Sequence, residues 1–163
     1  MIVVSDTSPI TSLAAIKQLN LLQQLYEALT IPEAVYRELA RVNPPVPGTV
    51  EVQTAGWIQV QRVSDNSLVT MLEEQQQLDE GESEAIALAI ELNAELLLID
   101  ERRGRAEADR LGLRITGLLG VLIEAKRNRL IVAVKPVLND LIETAEFRVS
   151  DALYAQILQM VGE

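Results

Sequence analysis

Two short apolar runs in the chain end in an acidic residue. Residues 2–5 (Ile-Val-Val-Ser) lead into Asp6, and residues 96–99 (Leu-Leu-Leu-Ile) lead into Asp100. Short apolar runs bounded by polar residues predict buried β-strands. Because ligands collect at the carboxyl ends of the strands in an open α/β sheet, both aspartates are candidates for the chemistry of the protein. Taken singly, each aspartate is more simply explained as the cap of the helix that follows it.

Most of the remaining apolar residues recur at the spacing of helices. Helices are predicted within 10–25 with a break near Asn20, from Pro32 to residue 40, and over 67–77, 81–90, 117–126, 135–145 and 150–160. Further strands are predicted at 29–31, 57–63 and 113–116, and the alternation within 57–63 is typical of an edge or half-exposed strand. Segment 43–48 is the strongest predicted loop, followed by a polar stretch to Gly56. Strands alternating with helices predict parallel βαβ units, so we expect a three-layer α/β/α fold with a mainly parallel sheet of about five strands.

Length and composition limit the possible chemistry. The 163 residues are expected to form a single domain, 1–163, with a substantial core. The chain has no cysteine and no histidine, which excludes disulfides, thiolate catalysis and the commonest general base. Any catalysis must therefore use carboxylates, hydroxyls, lysine or arginine. No apolar run of about 18 residues occurs, so we expect a cytoplasmic protein without a membrane segment.

The charge of the chain is unevenly distributed. The net charge of −10 argues against a broad basic surface, yet residues 101–135 carry nine basic and four acidic residues, a local excess of +5. Three of the arginines, Arg102, Arg103 and Arg105, directly follow the strand that ends at Asp100, in a predicted loop or short helix. They are expected to form a local basic surface where that strand ends. The alternatives are a solvated helix face or contacts with a protein partner.

The helix that begins at Pro32 carries a third candidate acid. Val35 and Leu39 mark its buried side, and Glu38 borders that side. Glu38 is therefore predicted to lie near the sheet. An exposed glutamate paired with Arg37 or Arg41 explains the same spacing equally well.

The segment from Leu78 to Ile90 contains the remaining acids. Small and apolar residues dominate from Ala85 onward, which predicts a closely packed helix, and its acids gather at the first turn, where the helix dipole favours them. The chain then turns near Asn93 and returns as the strand ending at Asp100. We therefore expect Glu82 and Asp100 to be neighbours.

Asp6, Glu38, Glu82 and Asp100 thus lie on four elements, at least three of which meet at one sheet edge. Clustered carboxylates raise each other's pKa, so such a cluster usually persists because a cation occupies it. Oxygen ligands suit Mg²⁺ or Mn²⁺, which support phosphoryl chemistry without histidine or cysteine. The hydroxyls of Thr7 and Ser8 are candidates for orienting water or substrate.

The same motifs resemble those of PIN domains, the fold of VapC-type toxins and related RNases. The matching segments are Val3-Val4-Ser5-Asp6-Thr7-Ser8, residues 31–39, residues 81–89, and Leu97-Leu98-Ile99-Asp100. The chain is also similar to an uncharacterised prokaryotic branch that has Thr-Gly-x-x-Gly-Val-Leu after the fifth strand, as residues 116–122 do. The resemblance covers nearly the whole chain.

The resemblance implies a Mg²⁺- or Mn²⁺-dependent endoribonuclease, acting as the toxin of a toxin–antitoxin pair or derived from one. It implies RNA, an antitoxin protein and a second copy of the chain as partners. The phosphates of the RNA would be held by Arg102, Arg103 and Arg105 at the rim of the acidic pocket. Two residues depart from the pattern: Glu82 stands where many PIN domains have aspartate, and Ile99 stands where many have Thr or Ser. Glu84 is close enough in sequence to replace Glu82 as a metal ligand.

Two other functions are compatible with the sequence. A PIN-like subunit without activity, binding RNA or protein, is favoured by the net charge and by Ile99. A phosphatase using Asp6 as nucleophile is disfavoured because Ser8 occupies the second position of the Asp-x-Asp spacing that such enzymes use.

Overall fold

The two acid-terminated runs lie side by side at the centre of a five-stranded sheet in the computed structural model, which describes residues 1–163. The strands are β1 (Val3–Ser5), β2 (Leu29–Pro32), β3 (Ile58–Gln61), β4 (Leu96–Leu98) and β5 (Ile115–Thr116). Their order is β3-β2-β1-β4-β5, and every pairing is parallel. The predicted α/β fold is confirmed, and so is the edge position of the strand within 57–63.

Side chains of the central strands alternate between two cores. Val3 and Leu98 belong to the larger core, whereas Val4, Leu97 and Ile99 belong to the smaller one on the other face of the sheet. Since successive residues of a strand point to opposite faces, this assignment also fixes the direction of the residues that follow each strand.

Helices cover both faces of the sheet. Their bounds are α1 (Thr7–Ala15), α2 (Asn20–Tyr26), α3 (Glu33–Ala40), α4 (Thr49–Thr54), α5 (Asn66–Gln75), α6 (Glu80–Glu91), α7 (Arg102–Arg110), α8 (Leu118–Arg127), α9 (Val134–Thr144) and α10 (Asp151–Met160). Residues of α5, α6 and α7 fill the smaller core, and residues of α1, α2, α8, α9 and α10 contribute to the larger core. None of these helices is both long and apolar enough to span a membrane.

One helix, α4, is not predicted by the sequence. The stretch up to Gly56, predicted only as polar, contains α4, whose buried Val52 joins the larger core. A six-residue helix with one apolar anchor has too little periodicity to be recognised. The segment after Asp100, predicted as a loop or short helix, forms the nine residues of α7.

The order of the strands creates a crevice next to β1. The chain runs from β1 to β2 and β3 on one side, then crosses back to β4 and β5 on the other. In open parallel sheets, this change of direction leaves a crevice at the carboxyl ends of the strands, where ligands bind. Here the crevice lies between the ends of β1 and β4.

Candidate active site

A cavity of about 350 Å³ opens at the carboxyl end of β1. No hydrophobic residue lines it, and every lining side chain carries a carboxylate or hydroxyl oxygen: Asp6, Thr7, Ser8, Thr11, Ser12, Glu38, Asp79, Glu82 and Glu101. A larger cavity of about 610 Å³, beside Tyr26 and Arg114, contains none of the predicted site residues. The acidic cavity is therefore the candidate site.

Asp6 is the most buried acid of the cavity, with 5% of its surface exposed. It directly follows β1 and precedes the first turn of α1, yet its side chain makes no capping hydrogen bond to that helix. Burial raises the pKa of Asp6 to about 7. The Thr7 N–H lowers the pKa, whereas the nearby charges of Glu82, Asp79 and Glu38 raise it further. The capping explanation for Asp6 thus gains no support from the geometry.

Glu38 projects from α3 to the same cavity. Its carboxylate accepts a hydrogen bond from the Thr7 hydroxyl at 2.6 Å, and neither Arg37 nor Arg41 forms an ion pair with it. Gly81 allows this approach, because a Cβ at that position would lie 2.7 Å from Glu38 Oε1. Partial burial raises the pKa of Glu38, and the Thr7 hydroxyl opposes the rise.

Glu82 lies in the first turn of α6 and is locked in a capping box with Asp79. The Glu82 N–H donates to Asp79 Oδ1 at 2.7 Å, and the Asp79 N–H donates to Glu82 Oε2 at 3.2 Å. This reciprocal arrangement satisfies two otherwise free N–H groups at the helix start. Burial raises the pKa of Glu82 to about 7, with further contributions from the charges of Asp79, Glu101 and Glu38.

Asp100 points away from the cavity. Its carboxylate accepts hydrogen bonds from the Leu118 N–H, at 3.0 and 3.3 Å, at the start of α8. Burial raises the pKa of Asp100, while the Leu118 N–H and the Arg105 charge lower it. The structure therefore brings Asp6, Glu38 and Glu82 together but leaves Asp100 outside the lining. The acid beside Glu82 at the end of β4 is Glu101, not the Asp100 expected from the sequence.

Four cavity residues were not among the predicted site residues: the acids Asp79 and Glu101 and the hydroxyl residues Thr11 and Ser12. A sequence signal exists for the first, since Asp79 and Glu82 have the three-residue spacing of a capping box. Glu101 adjoins a predicted site residue, but the sequence does not indicate which of two neighbouring acids faces the crevice.

Glu84 lies on another side of α6. Its carboxylate accepts a hydrogen bond from the Ala34 N–H at 3.1 Å and lies 3.9 Å from Arg37. Glu84 does not line the acidic cavity, so the structure does not place it to replace Glu82.

The three arginines after β4 differ in position. Arg103 lines a smaller cavity of about 310 Å³ that shares Asp79, Glu82 and Glu101 with the candidate site. Arg102 is exposed. Arg105 turns inward and donates to the Ile99 carbonyl at 2.8 Å. Arg102 and Arg103 are thus exposed, whereas Arg105 is partly buried.

The donor set of the cavity fits an oxygen-preferring divalent cation. Its lining offers only carboxylate and hydroxyl oxygens, and the crowded charges of Asp6 and Glu82 would be relieved by a cation. No three acidic side chains are arranged closely enough to hold a metal ion as they stand. Glu38 and Glu82 each use one carboxylate oxygen in a hydrogen bond, so the side chains would have to move closer together to share a cation through their other oxygens.

The comparison with known families agrees with this architecture. The family model described as a PIN domain matches residues 2–163. The chain therefore belongs to the PIN domain family, whose members are in general nucleases that use a divalent metal. No curated protein matches the chain.

Proposed function

We propose that the protein is a Mg²⁺- or Mn²⁺-dependent endoribonuclease that hydrolyses phosphodiester bonds at the acidic cavity. The observation that carries the proposal is the buried Asp6, whose carboxylate faces an all-oxygen cavity at the crevice beside β1 and receives no hydrogen bond from another side chain. A buried carboxylate surrounded by like charges destabilises the folded protein, and a bound cation would offset this destabilisation.

Asp6, Glu38 and Glu82 would hold the cation. Once bound, Mg²⁺ or Mn²⁺ would supply Lewis-acid stabilisation of the charge that develops on the phosphate oxygens. The carboxylates of the chain fix where that positive charge lies, and two of them, Asp6 and Glu82, are buried. The hydroxyl of Ser8 lines the same cavity and is exposed, so it is placed to position water or a substrate oxygen. Thr7 orients Glu38 through its hydroxyl.

Basic residues flank the acidic cavity on two sides. On one side lie Arg102 and Arg103, after β4. On the other, a cavity of about 550 Å³ shares Thr7 and Glu38 with the candidate site and is also lined by Arg37 and Arg41. An acidic centre between basic flanks suits a polynucleotide, whose phosphates before and after the scissile bond need positive partners. This arrangement places positive side chains beside the substrate phosphates, although the chain as a whole is acidic.

One observation favours the alternative of a weak or inactive PIN-like protein that binds RNA or a protein partner. No group of three acids is already close enough to coordinate a metal, and Glu38, Asp79 and Glu82 are held by hydrogen bonds to the protein itself. An inactive protein would keep these hydrogen bonds in the presence of metal.

The decisive experiment measures cleavage of a fluorescently labelled single-stranded RNA with Mg²⁺, Mn²⁺ or EDTA. We expect cleavage only with metal and only by the wild type, since Asp6→Asn keeps the shape of the side chain and removes its charge. Asp6→Asn purified in parallel reports any contaminating nuclease, and a DNA strand of the same sequence tests the preference for RNA. Metal-independent binding of RNA without cleavage would instead establish the inactive alternative.

A toxin role and a homodimer belong to the same proposal. Expression of the wild type, but not of Asp6→Asn, should arrest bacterial growth, and co-expression of a cognate antitoxin should restore it. Light scattering of the purified protein should give the mass of two chains. Unimpaired growth with a nuclease that is active in vitro would argue against the toxin role alone.

A further inference from the structure

We propose that Glu101, and not Asp100, supplies the fourth carboxylate of the acidic cavity, and that Asp100 instead fastens the start of α8 to the end of β4. This inference rests on the metal-dependent function proposed above and concerns one ligand residue of that site.

The alternation of side chains along the sheet separates the two acids. Val4 and Ile99 face the core beneath α6. Asp6 lies two residues after Val4, and Glu101 lies two residues after Ile99, so both side chains project to the α6 side of the sheet. Asp100 is directed to the opposite face. The positions agree with this rule, because Asp6 and Glu101 line one cavity and Asp100 lies against α8.

Asp100 is held at the start of α8 by a hydrogen bond, and Arg105 of α7 lies nearby. Its carboxylate accepts from the Leu118 N–H, one of the free donors at the helix start. The Arg105 guanidinium lies beside it. Gly117 leaves the space for it, since a Cβ at that position would collide with the Asp100 carboxylate. Turning Asp100 into the cavity would leave the Leu118 N–H and the Arg105 charge without this partner.

Glu101 has the freedom that Asp100 lacks. Its Oε2 accepts from the Gly104 N–H at 2.9 Å and thereby caps α7, while Oε1 makes no hydrogen bond. Its side chain lines both acidic cavities, and in each it lies with Asp79 and Glu82. The buried Asp6 carboxylate, aimed into the same cavity with no side-chain hydrogen bond, independently points to a ligand there. Glu101 is thus able to contribute one oxygen to a cation and keep its cap with the other.

The test compares Mn²⁺ binding by wild type, Glu101→Gln and Asp100→Asn, using electron paramagnetic resonance to count free Mn²⁺. We expect Glu101→Gln to lower the affinity at least about tenfold and Asp100→Asn to change it little. Glu124→Gln, which removes an equal charge from an exposed ion pair on α8, controls for the loss of charge alone. The melting temperature in EDTA shows that each variant is folded.

A second measurement tests the structural part. Asp100→Ala removes the acceptor for Leu118, so its melting temperature in EDTA should fall by about 2–4 °C. Glu101→Gln keeps an amide oxygen for Gly104 and should melt near the wild type. Wild-type affinity in Glu101→Gln, or a loss of affinity in folded Asp100→Asn as large as that in Glu101→Gln, would overturn the inference. Absence of Mn²⁺ binding by the wild type would overturn the proposed function first, and the two failures are therefore distinguishable.

Discussion

The charge on buried Asp6 should destabilise the metal-free protein, and removing it should make the protein more stable. Burial raises the pKa of this group from 3.8 to about 7 in the folded state. At about 1.4 kcal/mol for each pKa unit, the ionised group costs about 4 kcal/mol of folding free energy above pH 7. The amide in Asp6→Asn has its own burial cost of about 1–3 kcal/mol. We therefore expect a net gain of about 1–3 kcal/mol at pH 8.

The pH dependence follows from the direction of the pKa change. Because the folded state holds the Asp6 proton up to about pH 7 and the unfolded state releases it near pH 3.8, wild-type stability should fall as the pH rises between these values. Above pH 7 the loss is complete. The advantage of Asp6→Asn should accordingly fall by about 2–3 kcal/mol when the pH is lowered from 8 to 5, which removes most or all of it.

Urea denaturation in EDTA at pH 5 and pH 8 measures both effects. Asp140→Asn, an exposed substitution of the same type on α9, is the matched control and should show neither effect. Asp6→Asn could instead be less stable than the wild type at pH 8, or its stability advantage could be independent of pH. Either result would show that ionised Asp6 does not destabilise the fold, and the proposal of a cation site would lose its main support.

Three further predictions concern other parts of the chain. Gly81→Ala should weaken Mn²⁺ binding, because the added Cβ displaces Glu38. The same variant should raise the unfolding free energy in EDTA by up to about 1 kcal/mol through helix propensity. Unchanged metal affinity would contradict the close contact between Gly81 and Glu38. Replacing Arg102 and Arg103 with Gln should lower the log–log salt dependence of single-stranded RNA binding, measured with Ca²⁺ to suppress cleavage, by about 0.7 per lost phosphate contact; an unchanged slope in a folded variant would favour protein contacts. Glu163→Ala should lower the melting temperature at pH 7 by about 2–4 °C, as measured by calorimetry, and an unchanged value would refute a capping role.

The last prediction rests on a contact between distant parts of the chain. The Glu163 carboxylate accepts from Lys126 Nζ at 2.8 Å and from the backbone N–H groups of Val134 and Lys135 at the start of α9, at 2.7 and 3.0 Å. Burial opposes ionisation, but these hydrogen bonds outweigh it and lower the pKa of Glu163 to about 2. Its stabilisation should therefore be present at neutral pH and be lost as the pH falls toward 2.

Local sequence determined most of the elements and three of the candidate acids. The apolar run before Asp6, the Val35 and Leu39 face beside Glu38, and the small-residue helix after Glu82 each predict an element from a handful of neighbouring residues. These patterns work because helix and strand periodicity depends on local geometry. Parallel pairing then follows from the alternation of strands and helices, which brings the strand ends to one edge.

Only the tertiary structure decided which acids share the cavity. Asp100 and Glu101 are adjacent in sequence, and a one-residue step along a strand reverses the side of the sheet that a side chain faces. The direction of each therefore depends on which face of β4 lies beneath α6, and that is set by packing of Leu97 and Ile99 in the smaller core. No local pattern carries this information.

The same reason separates Glu82 from Glu84. Both lie in the first turns of α6, but the rotation of the helix, fixed by its contacts with α3, α5 and the strands, turns Glu82 to the cavity and Glu84 to the Ala34 N–H. Sequence supplied the carboxylates and their elements. Helix rotation, strand register and the crevice created by strand order decided which of those carboxylates meet, because these depend on contacts between residues far apart in the chain.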